Sequence, residues 1–329
     1  MNGEHNYLNR SRNILVTSIG NKVPMLKTIK TAAIRAGIKD ALLWGGDMQA
    51  ECIGQYFVDE FWKMPPLVEL NGEALEKFCV ENHIGYIIPS RDGELLFFAR
   101  YKKRLAALGI EIMVSNDEPI EICLDKLLFY NHLQTIDFPV IPTCDESQIK
   151  TIEGEGNTYV VKERYGAGSR LLGINLSREE ARRHGKLLAD PVFQPFIAGK
   201  EYSVDFYVQR NGKAKGAIVR SRDYVVNGES QITMSKKMPE LEQMCLDLAK
   251  QLGITGHALV QAIVDEEEKI HIVECNCRFG GASTLSVAMG LDSFYWFFME
   301  SQGNDLEQIP FVRSAGEKKQ VRYAENLIL

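Results

Sequence analysis

The sequence lacks the features that mark several large classes of protein. Its seven cysteines form no C-x-x-C pair, are odd in number and are scattered along the chain; this disfavours a disulfide framework and predicts a reducing setting. No apolar run approaches the roughly 18 residues that a membrane-spanning helix needs. The polar N-terminal segment MNGEHNYLNRSRN has no hydrophobic stretch of the kind found in signal peptides. The sequence therefore predicts a globular protein of the cytoplasm.

The sequence also lacks a large net charge of either sign. The formal net charge is −6 over 329 residues, and this mild excess of acid argues against binding to nucleic acid or to an anionic membrane. Hydrophobic residues make up 45% and charged residues 25% of the chain, as in ordinary soluble proteins. A chain of this length can form two or three lobes that share a core.

Two common nucleotide-binding motifs are also missing, although the first third of the chain alternates strand and helix. Neither a G-x-G-x-x-G after the first strand nor a G-x-x-x-x-G-K-[ST] occurs, so a Rossmann site and a P-loop lack their usual support. The alternation predicts a parallel sheet with helices on both faces. Its predicted strands lie at 13–19, 40–46, 85–90 and 110–115, and its predicted helices at 20–37, 72–83 and 93–109.

After about residue 140 the pattern changes to antiparallel strands, so the complete fold is predicted to be α/β followed by α+β. Strands are predicted at 158–164, 191–197, 201–209, 215–226, 259–265 and 270–276, with one helix at 239–252. A short acidic turn joins the last two strands, which are therefore predicted to form a hairpin.

The stretch HIVECNCRFGG, residues 271–281, carries the most informative side chains. Glu274, Asn276 and Arg278 are two apart and therefore point to one face of a strand, and the hairpin brings Gln261 close to the first two. One carboxylate and two amides offer hard oxygen ligands that suit Mg²⁺ better than zinc, while Arg278 offers planar donors to a phosphoryl oxygen. The alternative is a solvated polar edge strand, and the apolar flanks HALV and IHIV argue against it.

Cys275 and Cys277 of the same stretch suggest a C-x-C metal motif. On a strand, however, they face away from Glu274, so they are predicted to be thiols of the core. The sequence thus assigns the metal site to the oxygen-bearing face alone.

The segment VVKERYGAGSRLLGI carries a weaker signal. Lys162 lies on a strand that runs into a loop with Gly166, Gly168 and Ser169. Glycines let backbone N–H groups approach phosphate oxygens, and a nearby lysine supplies charge. An ordinary glycine-containing hairpin turn is the alternative.

Two other segments say little by themselves. Pro195 interrupts an apolar strand and frees backbone groups that can read an adenine edge, with Glu201 near enough to bind a ribose; a Pro-kinked edge strand is an equally good interpretation. Lys126 follows an aspartate within an apolar helix, where such a pair is usually a solvated helix start.

Taken in order, these segments resemble the ATP-grasp superfamily, and most closely its carbamoyl-phosphate-synthase-like branch. The resemblance rests on a D-K pair on a helix, a strand lysine before a Gly-Ser loop, the hinge FIAGKEYSVD, and the final Q…E-x-N-x-R-F-G-G. It covers nearly the whole chain. It implies a parallel-sheet pre-ATP-grasp domain over 1–115, an N-terminal ATP-grasp lobe with a lid over 116–195, and a C-terminal lobe with the metal site and a tail over 196–329.

The resemblance also implies a role for each residue in binding Mg–ATP. Lys126 and Lys162 would contact the phosphates beneath the glycine loop, and Arg278 would stabilise the phosphoryl group in transfer, so Lys162 and Arg278 are the expected catalytic residues. The remaining nucleotide contacts would come from Gly166, Gly168, Ser169, Gln194, Pro195, Phe196, Ile197 and Glu201. The ligands of one or two Mg²⁺ ions, or of Mn²⁺ in their place, would be Gln261, Glu274 and Asn276.

Two positions depart from the pattern of the superfamily. Gln194 stands where many members have a glutamate, which predicts a weaker or differently oriented contact with the adenine amino group. Gln261 stands where many ligases have an aspartate, which predicts a less acidic metal site.

The activity that the resemblance implies is ligation of a small-molecule carboxylate to an amine, or less often a thiol, through an acyl phosphate, with release of ADP and phosphate. The alternatives are a kinase that phosphorylates a small-molecule hydroxyl on the same fold and a non-catalytic nucleotide-binding module. The expected partners are these small molecules, and family members often form homodimers.

Substrate contacts are harder to predict. Arg220 and Arg222 share a strand face, which is either a carboxylate or phosphate contact or a solvated surface. The segment PSRDGE lies where open α/β sheets bind ligands, so Arg91 is a candidate contact, whereas Asp92 and Glu94 contact the acceptor or cap the next helix. An acyl phosphate needs shielding from water, and two segments are predicted lids, residues 164–170 and 225–237.

Overall fold

The computed structural model describes residues 12–152, 157–166 and 171–329. Its first part contains strands β1 (Asn13–Thr17), β2 (Leu43–Asp47), β3 (Glu60–Lys63), β4 (Ile84–Ile88) and β5 (Glu111–Ile112), and helices α1 (Val23–Arg35), α2 (Gly72–Glu81) and α3 (Asp92–Ala106). The strands are parallel, in the order β3-β2-β1-β4-β5. This confirms the predicted α/β beginning of the chain.

Burial on both faces explains the sequence of β1. All five residues of this strand are buried, as expected for a parallel strand covered by helices on both sides. Ile14 and Val16 belong to the core beneath α1, and Leu15 belongs to the core beneath α2 and α3. The edge strand β3 was not predicted, because its four residues EFWK are short, charged at both ends and partly exposed.

A small antiparallel sheet forms the second part. Helices α4 (Asp117–Leu124) and α5 (Lys126–Thr135) lead to strands β6 (Thr158–Glu163), β7 (Gly173–Ser177) and β8 (Pro191–Pro195), with helix α6 (Arg178–Gly185) between the last two strands. The strand order is β7-β6-β8. Its small core is formed by Cys144, Ile149, Ile152, Tyr159, Val161, Ala181, Leu188 and Phe193.

A seven-stranded sheet forms the third part. Its strands are β9 (Lys200–Val208), β10 (Ala214–Ser221), β11 (Tyr224–Val226), β12 (Glu229–Lys236), β13 (Gly256–Val264), β14 (Ile270–Asn276) and β15 (Lys319–Val321), and its helices are α7 (Pro239–Gln251), α8 (Thr284–Ala288) and α9 (Ser293–Ser301). The order is β11-β12-β10-β9-β13-β14, and β15 pairs with β12. The predicted change to antiparallel strands is therefore confirmed.

The structure corrects two predictions for residues 215–237. The single strand predicted at 215–226 is two strands, β10 and β11, and the predicted lid at 225–237 is largely strand β12, paired on both sides inside the sheet. Its polar residues misled the prediction because several of them are buried inside the sheet: Thr233 is fully buried, and its Oγ1 donates to the carbonyl oxygen of Ser221 at 2.5 Å.

Aromatic contacts fix the parallel sheet to the large sheet. Tyr86 of β4 meets Phe297 and Phe298 of α9 edge-on, with ring centroids 6.2 and 5.2 Å apart, and Arg35 of α1 pairs with Asp292 at the start of α9. These contacts hold the first part of the chain beside the loop that follows β14. Among residues 12–152, 157–166 and 171–329, no helix combines the length and the hydropathy required to cross a membrane.

A buried charge network lies beneath that loop. Asp205 of β9 is fully buried and accepts hydrogen bonds of 2.5 Å from Arg220 Nε and from the hydroxyl groups of Ser283 and Ser286. Burial by itself raises the pKa of Asp205, but Arg220 and His257 outweigh it and hold this pKa far below its ordinary value. Arg220 is only 2% exposed, which argues against its predicted contact with substrate.

Asp205→Asn should lower the free energy of unfolding at pH 7 by about 3–5 kcal/mol, because the buried Arg220 guanidinium would lose its counter-charge. The carboxyl pKa is about 3.9 in the unfolded chain and lower in the folded one. The contribution of the ion pair is therefore complete above about pH 4 and is lost as the pH falls below that value. Below pH 4 the stability of the wild type should fall more steeply than that of the variant, by up to about 1.4 kcal/mol per pH unit.

Urea unfolding at pH 7 and between pH 4 and pH 3 measures both effects. The matched control is Asp40→Asn, which removes a carboxylate from an exposed loop. A variant as stable as the wild type at pH 7 would show that the ion pair does not stabilise the fold.

Candidate active site between the three sheets

The predicted metal ligands lie on the hairpin of β13 and β14. Gln261 pairs directly opposite Glu274, and Asn276 pairs opposite Leu259, so the predicted hairpin and the proximity of these side chains are confirmed. Residues directly opposite each other, and residues two apart, share a face of the sheet. The Asn276 amide Nδ2 donates to Glu274 Oε1 at 3.2 Å. One carboxylate and two amides thus lie together on one face.

Two lysines from other elements surround Glu274. Lys162 lies on β6, and Lys126 is the first residue of α5. Burial alone would raise the pKa of Glu274, but the ammonium groups of Lys162 and Lys126 and the Asn276 amide hold it below its usual range. Burial lowers the pKa of Lys162 to about 8, although Glu274 opposes the shift. The site therefore places an ionised carboxylate near two cationic side chains.

The loop that follows β6 is held against the start of α5. The Asp125 carboxylate caps α5 and accepts two hydrogen bonds of 2.7 Å from the Arg164 guanidinium. Lys126 Nζ donates to the carbonyl oxygen of Gly166 at 2.7 Å. The structure thus brings Lys126 and the beginning of the predicted phosphate loop together. The other two predicted loop residues are Gly168 and Ser169, and both lie outside the described part of the chain.

The predicted adenine hinge is the connection from the small sheet to the large one. Strand β8 ends at Pro195, and Phe196 and Ile197 follow in a segment without regular secondary structure that is only partly buried. The Gln194 side chain is buried, and its Nε2 donates to Thr143 Oγ1 at 2.8 Å. This bond holds the Gln194 amide in a fixed orientation beside the hinge.

Close backbone approach continues beyond the hinge. A Cβ atom on Gly199 would lie 2.5 Å from the carbonyl oxygen of Val264, so only glycine fits where the chain crosses the end of β13. The predicted ribose ligand Glu201 follows and accepts a hydrogen bond of 3.0 Å from Arg222 Nε. Arg222 also donates to the carbonyl oxygen of Gly228 at 3.1 Å. Both of these side-chain hydrogen bonds of Arg222 are made within the protein, and the first of them orients Glu201.

Arg278 connects the large sheet to the first part of the chain. Its Nε and Nη2 atoms donate to Asp92 Oδ2 at 2.8 and 2.6 Å, and Asp92 is the first residue of α3. Burial alone would lower the pKa of Arg278, but Asp92 and Glu274 raise it above its ordinary value. The predicted phosphoryl contact thus lies at the carboxyl end of the parallel sheet.

Lys22 is a residue that the sequence analysis missed. Its Nζ donates to the carbonyl oxygen of Ser90 at 2.5 Å and to its Oγ at 2.6 Å. Burial lowers the pKa of Lys22 to about 8, against the effect of Glu94, and Arg278 adds to the lowering. Lys22 lies between β1 and β4, where the strand order reverses, and open α/β sheets bind ligands at such a point. The only local signal was its place just after the first strand.

Glu94 and Arg91 lie at the same end of the sheet but have different surroundings. Glu94 accepts hydrogen bonds from the hydroxyl groups of Thr17 and Ser18 and from the backbone N–H groups of Ser90 and Arg91. Glu94 therefore organises the loops, as the capping alternative expected. The Arg91 side chain is exposed, with Nε 3.4 Å from Ser18 Oγ.

Comparison with known families separates the parallel sheet from the two antiparallel sheets. Residues 14–113 match the PylC-like N-terminal domain, and residues 123–282 match the ATP-grasp domain. By sequence, no curated protein matches the chain.

Solved structures with the same fold are similar over most of their length. The biotin carboxylase domain of the Hydrogenobacter thermophilus 2-oxoglutarate carboxylase, in complex with MgADP, ADP and bicarbonate, is 17% identical, with a TM-score of 0.74 over 93% of this chain and 73% of that one. The N5-carboxyaminoimidazole synthetase of Staphylococcus aureus, complexed with ADP, is 15% identical, with a TM-score of 0.71 over 90% and 78%. The L-amino acid ligase of Bacillus licheniformis is 17% identical, with a TM-score of 0.66 over 88% and 74%.

These structures share the fold at low identity, and the two family models together match both the parallel sheet and the paired antiparallel sheets that follow it. The order of the segments in the sequence agrees with this result. The chain contains an ATP-grasp domain over residues 123–282, preceded by a PylC-like N-terminal domain over residues 14–113.

Proposed function

We propose that the chain is an ATP-dependent, ADP-forming ligase that joins a small-molecule carboxylate to an amine, or to a thiol, through an acyl phosphate. The observation that carries the proposal is the hairpin face of Glu274, Asn276 and Gln261 with Lys126 and Lys162 beside it. Three oxygen donors, one of them ionised, fit Mg²⁺, and two lysines fit the phosphates that such an ion bridges. The ADP-bound synthetase and the amino acid ligase of the same fold support this choice.

Bound Mg–ATP would supply the γ-phosphoryl group to be transferred. Lys126 and Lys162 neutralise phosphate charge, so that an acceptor oxygen can approach. Glu201, oriented by Arg222, holds the ribose, and the hinge from Gln194 to Ile197 holds the adenine. The residues of the chain thus supply binding, orientation and charge, which are the main requirements of phosphoryl transfer.

Arg278 stabilises the charge of the phosphoryl group in transfer and of the acyl phosphate. The Asp92 carboxylate occupies Nε and Nη2 of this guanidinium and therefore fixes its plane. Such a preorganised donor costs little reorganisation at the moment of reaction. Asp92 is thus a positioning residue for the step at Arg278.

The acceptor carboxylate binds in the crevice between the ends of β1 and β4. Lys22 lies in this crevice and Arg91 at its rim, and Arg278 reaches it through Asp92. Lys22, Arg91 and Arg278 outnumber the carboxylates Asp92 and Glu94 at this end of the sheet by one. This excess of positive charge favours an acceptor that carries negative charge, which supports the ligase over a kinase that acts on a neutral hydroxyl. The cytoplasmic setting and the homodimer remain predictions.

Product analysis with Mg–ATP and pooled amino acids and small carboxylates tests the proposal. We expect ADP and free phosphate that appear only with one pool, because an amine or a thiol must displace phosphate from the intermediate. ADP without free phosphate would indicate the kinase, and AMP would exclude the acyl phosphate. Nucleotide binding with no turnover in any pool would favour the non-catalytic module.

Glu274→Ala should abolish turnover of Mg–ATP and leave the fold intact, since it removes a metal ligand and little apolar burial. Phosphate release measures the turnover, and circular dichroism checks the fold. The matched control is Glu266→Ala, which removes an exposed carboxylate from the turn of the same hairpin and should keep wild-type turnover. Full turnover in the Glu274 variant would contradict the metal assignment.

Lys22→Met should raise the KM for the acceptor carboxylate by about 10-fold or more and change the KM for ATP little, because it removes one charge-assisted hydrogen bond. Steady-state kinetics with each substrate varied in turn measures the two constants. Lys39→Met, at an exposed position of the same part of the chain, is the control. An unchanged acceptor KM, or an equal rise in both constants, would place the acceptor elsewhere.

A further inference from the structure

Three thiols converge on the opposite face of the strand that carries the proposed magnesium ligands. The Sγ atoms of Cys123, Cys275 and Cys277 all lie within 4.8 Å of one another. Cys275 and Cys277 are 2% and 4% exposed, and Cys123 packs against the same core. Within residues 12–152, 157–166 and 171–329, this is the one group of three cysteine, histidine or carboxylate side chains that lie so close together.

The local structure explains the convergence. Cys275 and Cys277 are two apart, so they share a face of the chain at the end of β14, and Cys123 comes from the last turn of α4. A disulfide joins only two sulfur atoms, so a disulfide formed within the triad would leave the third thiol unused.

Three mutually close sulfur atoms are instead the arrangement that a metal ion requires. With metal–sulfur bonds of about 2.3 Å, three sulfur atoms around one ion are about 4 Å apart, within the spacing found here. Thiolates are soft ligands that prefer Zn²⁺ and Cu⁺, whereas the carboxylate and amides on the other face prefer Mg²⁺. The alternation of the strand thus separates two sets of donors that differ in chemical preference.

We propose that Cys123, Cys275 and Cys277 bind one thiophilic metal ion, Zn²⁺ or Cu⁺. Each thiol that becomes a thiolate releases one proton to solvent as the ion binds. The ion joins α4 to β14 directly behind the nucleotide site. Cys123 lies two residues before Asp125 and three before Lys126, and Cys275 and Cys277 alternate with Glu274, Asn276 and Arg278. Metal binding therefore fixes the phosphate-binding start of α5 relative to the magnesium-binding strand.

The test is a metal titration of the full chain, reduced and kept free of oxygen. Zn²⁺ is presented in competition with a chromophoric chelator and Cu⁺ in competition with a colorimetric Cu⁺ chelator, both with excess Mg²⁺ present to fill the oxygen site. We expect the wild type to retain one equivalent of at least one of the two ions and to melt at a higher temperature with it. Retention of one ion but not the other identifies which of the two the site prefers.

Cys123→Ala should lose the retained ion and the rise in melting temperature. Cys245→Ala is the matched control, because Cys245 is a fully buried thiol of the same core outside the triad, and it should keep both. Glu274→Ala should also keep both, which separates the sulfur site from the oxygen site. An ion retained equally by the Cys123 variant would overturn the proposal.

A measurement on the wild type alone covers the case in which the Cys123 variant does not fold. X-ray absorption of the metal-loaded protein should show three sulfur neighbours at about 2.3 Å. A coordination shell of oxygen and nitrogen, or no retained ion with a disulfide from Cys123 found by mass spectrometry, would overturn the proposal. Neither result bears on the proposed ligase, which is judged by its products.

Discussion

The antiparallel pairing of β13 with β14 is the constraint on which the candidate site depends. It sets Gln261 opposite Glu274 and leaves Asn276 on the same face. A shift of the pairing by one residue would turn these oxygen-bearing side chains into the core and bring the cysteines out. The buried neighbours Val260 and Cys275 on the other face oppose such a shift. Apolar packing on one side of the hairpin therefore fixes the polar chemistry on the other.

Charge balance is the second requirement of this arrangement. An ionised carboxylate at a partly buried position needs nearby cations. For Glu274 these cations are Lys162 of β6 and Lys126 of α5. Arg278 is balanced in turn by Asp92 from the parallel sheet. Each of the three structural parts thus contributes one side of an electrostatic contact.

A buried ion pair and its hydrogen bonds support the loop after β14. Asp205 lies in the interior with Arg220, His257, Ser283 at the end of that loop and Ser286 of α8. Burying an ion pair is costly unless most of its polar atoms are satisfied, and the serine hydroxyl groups help to satisfy them. This network places Arg220 inside the protein. Its spacing of two from Arg222 had suggested that both side chains share a strand face that contacts the substrate. Strand periodicity reveals which side chains share a face and leaves open whether that face is exposed to solvent or buried.

The sequence by itself determined most strands of the parallel sheet and the hairpin of β13 and β14. The period of two in the stretch from His271 to Gly281, and the acidic turn before it, are local patterns that required no knowledge of the rest of the fold. The strands β3 and β12 were not predicted because each has charged residues at both ends and only two large apolar residues, so pairing with neighbours is what makes them strands.

Only the tertiary structure decided which distant residues meet. The pair of Arg278 with Asp92 spans 186 positions, and Lys22 is held in place by contact with Ser90, two residues beyond the end of β4. The meeting of Cys123 with Cys275 and Cys277 is of the same kind. No local pattern encodes such contacts, because they follow from how the three sheets pack together; sequence periodicity acts within one element and is silent about its neighbours.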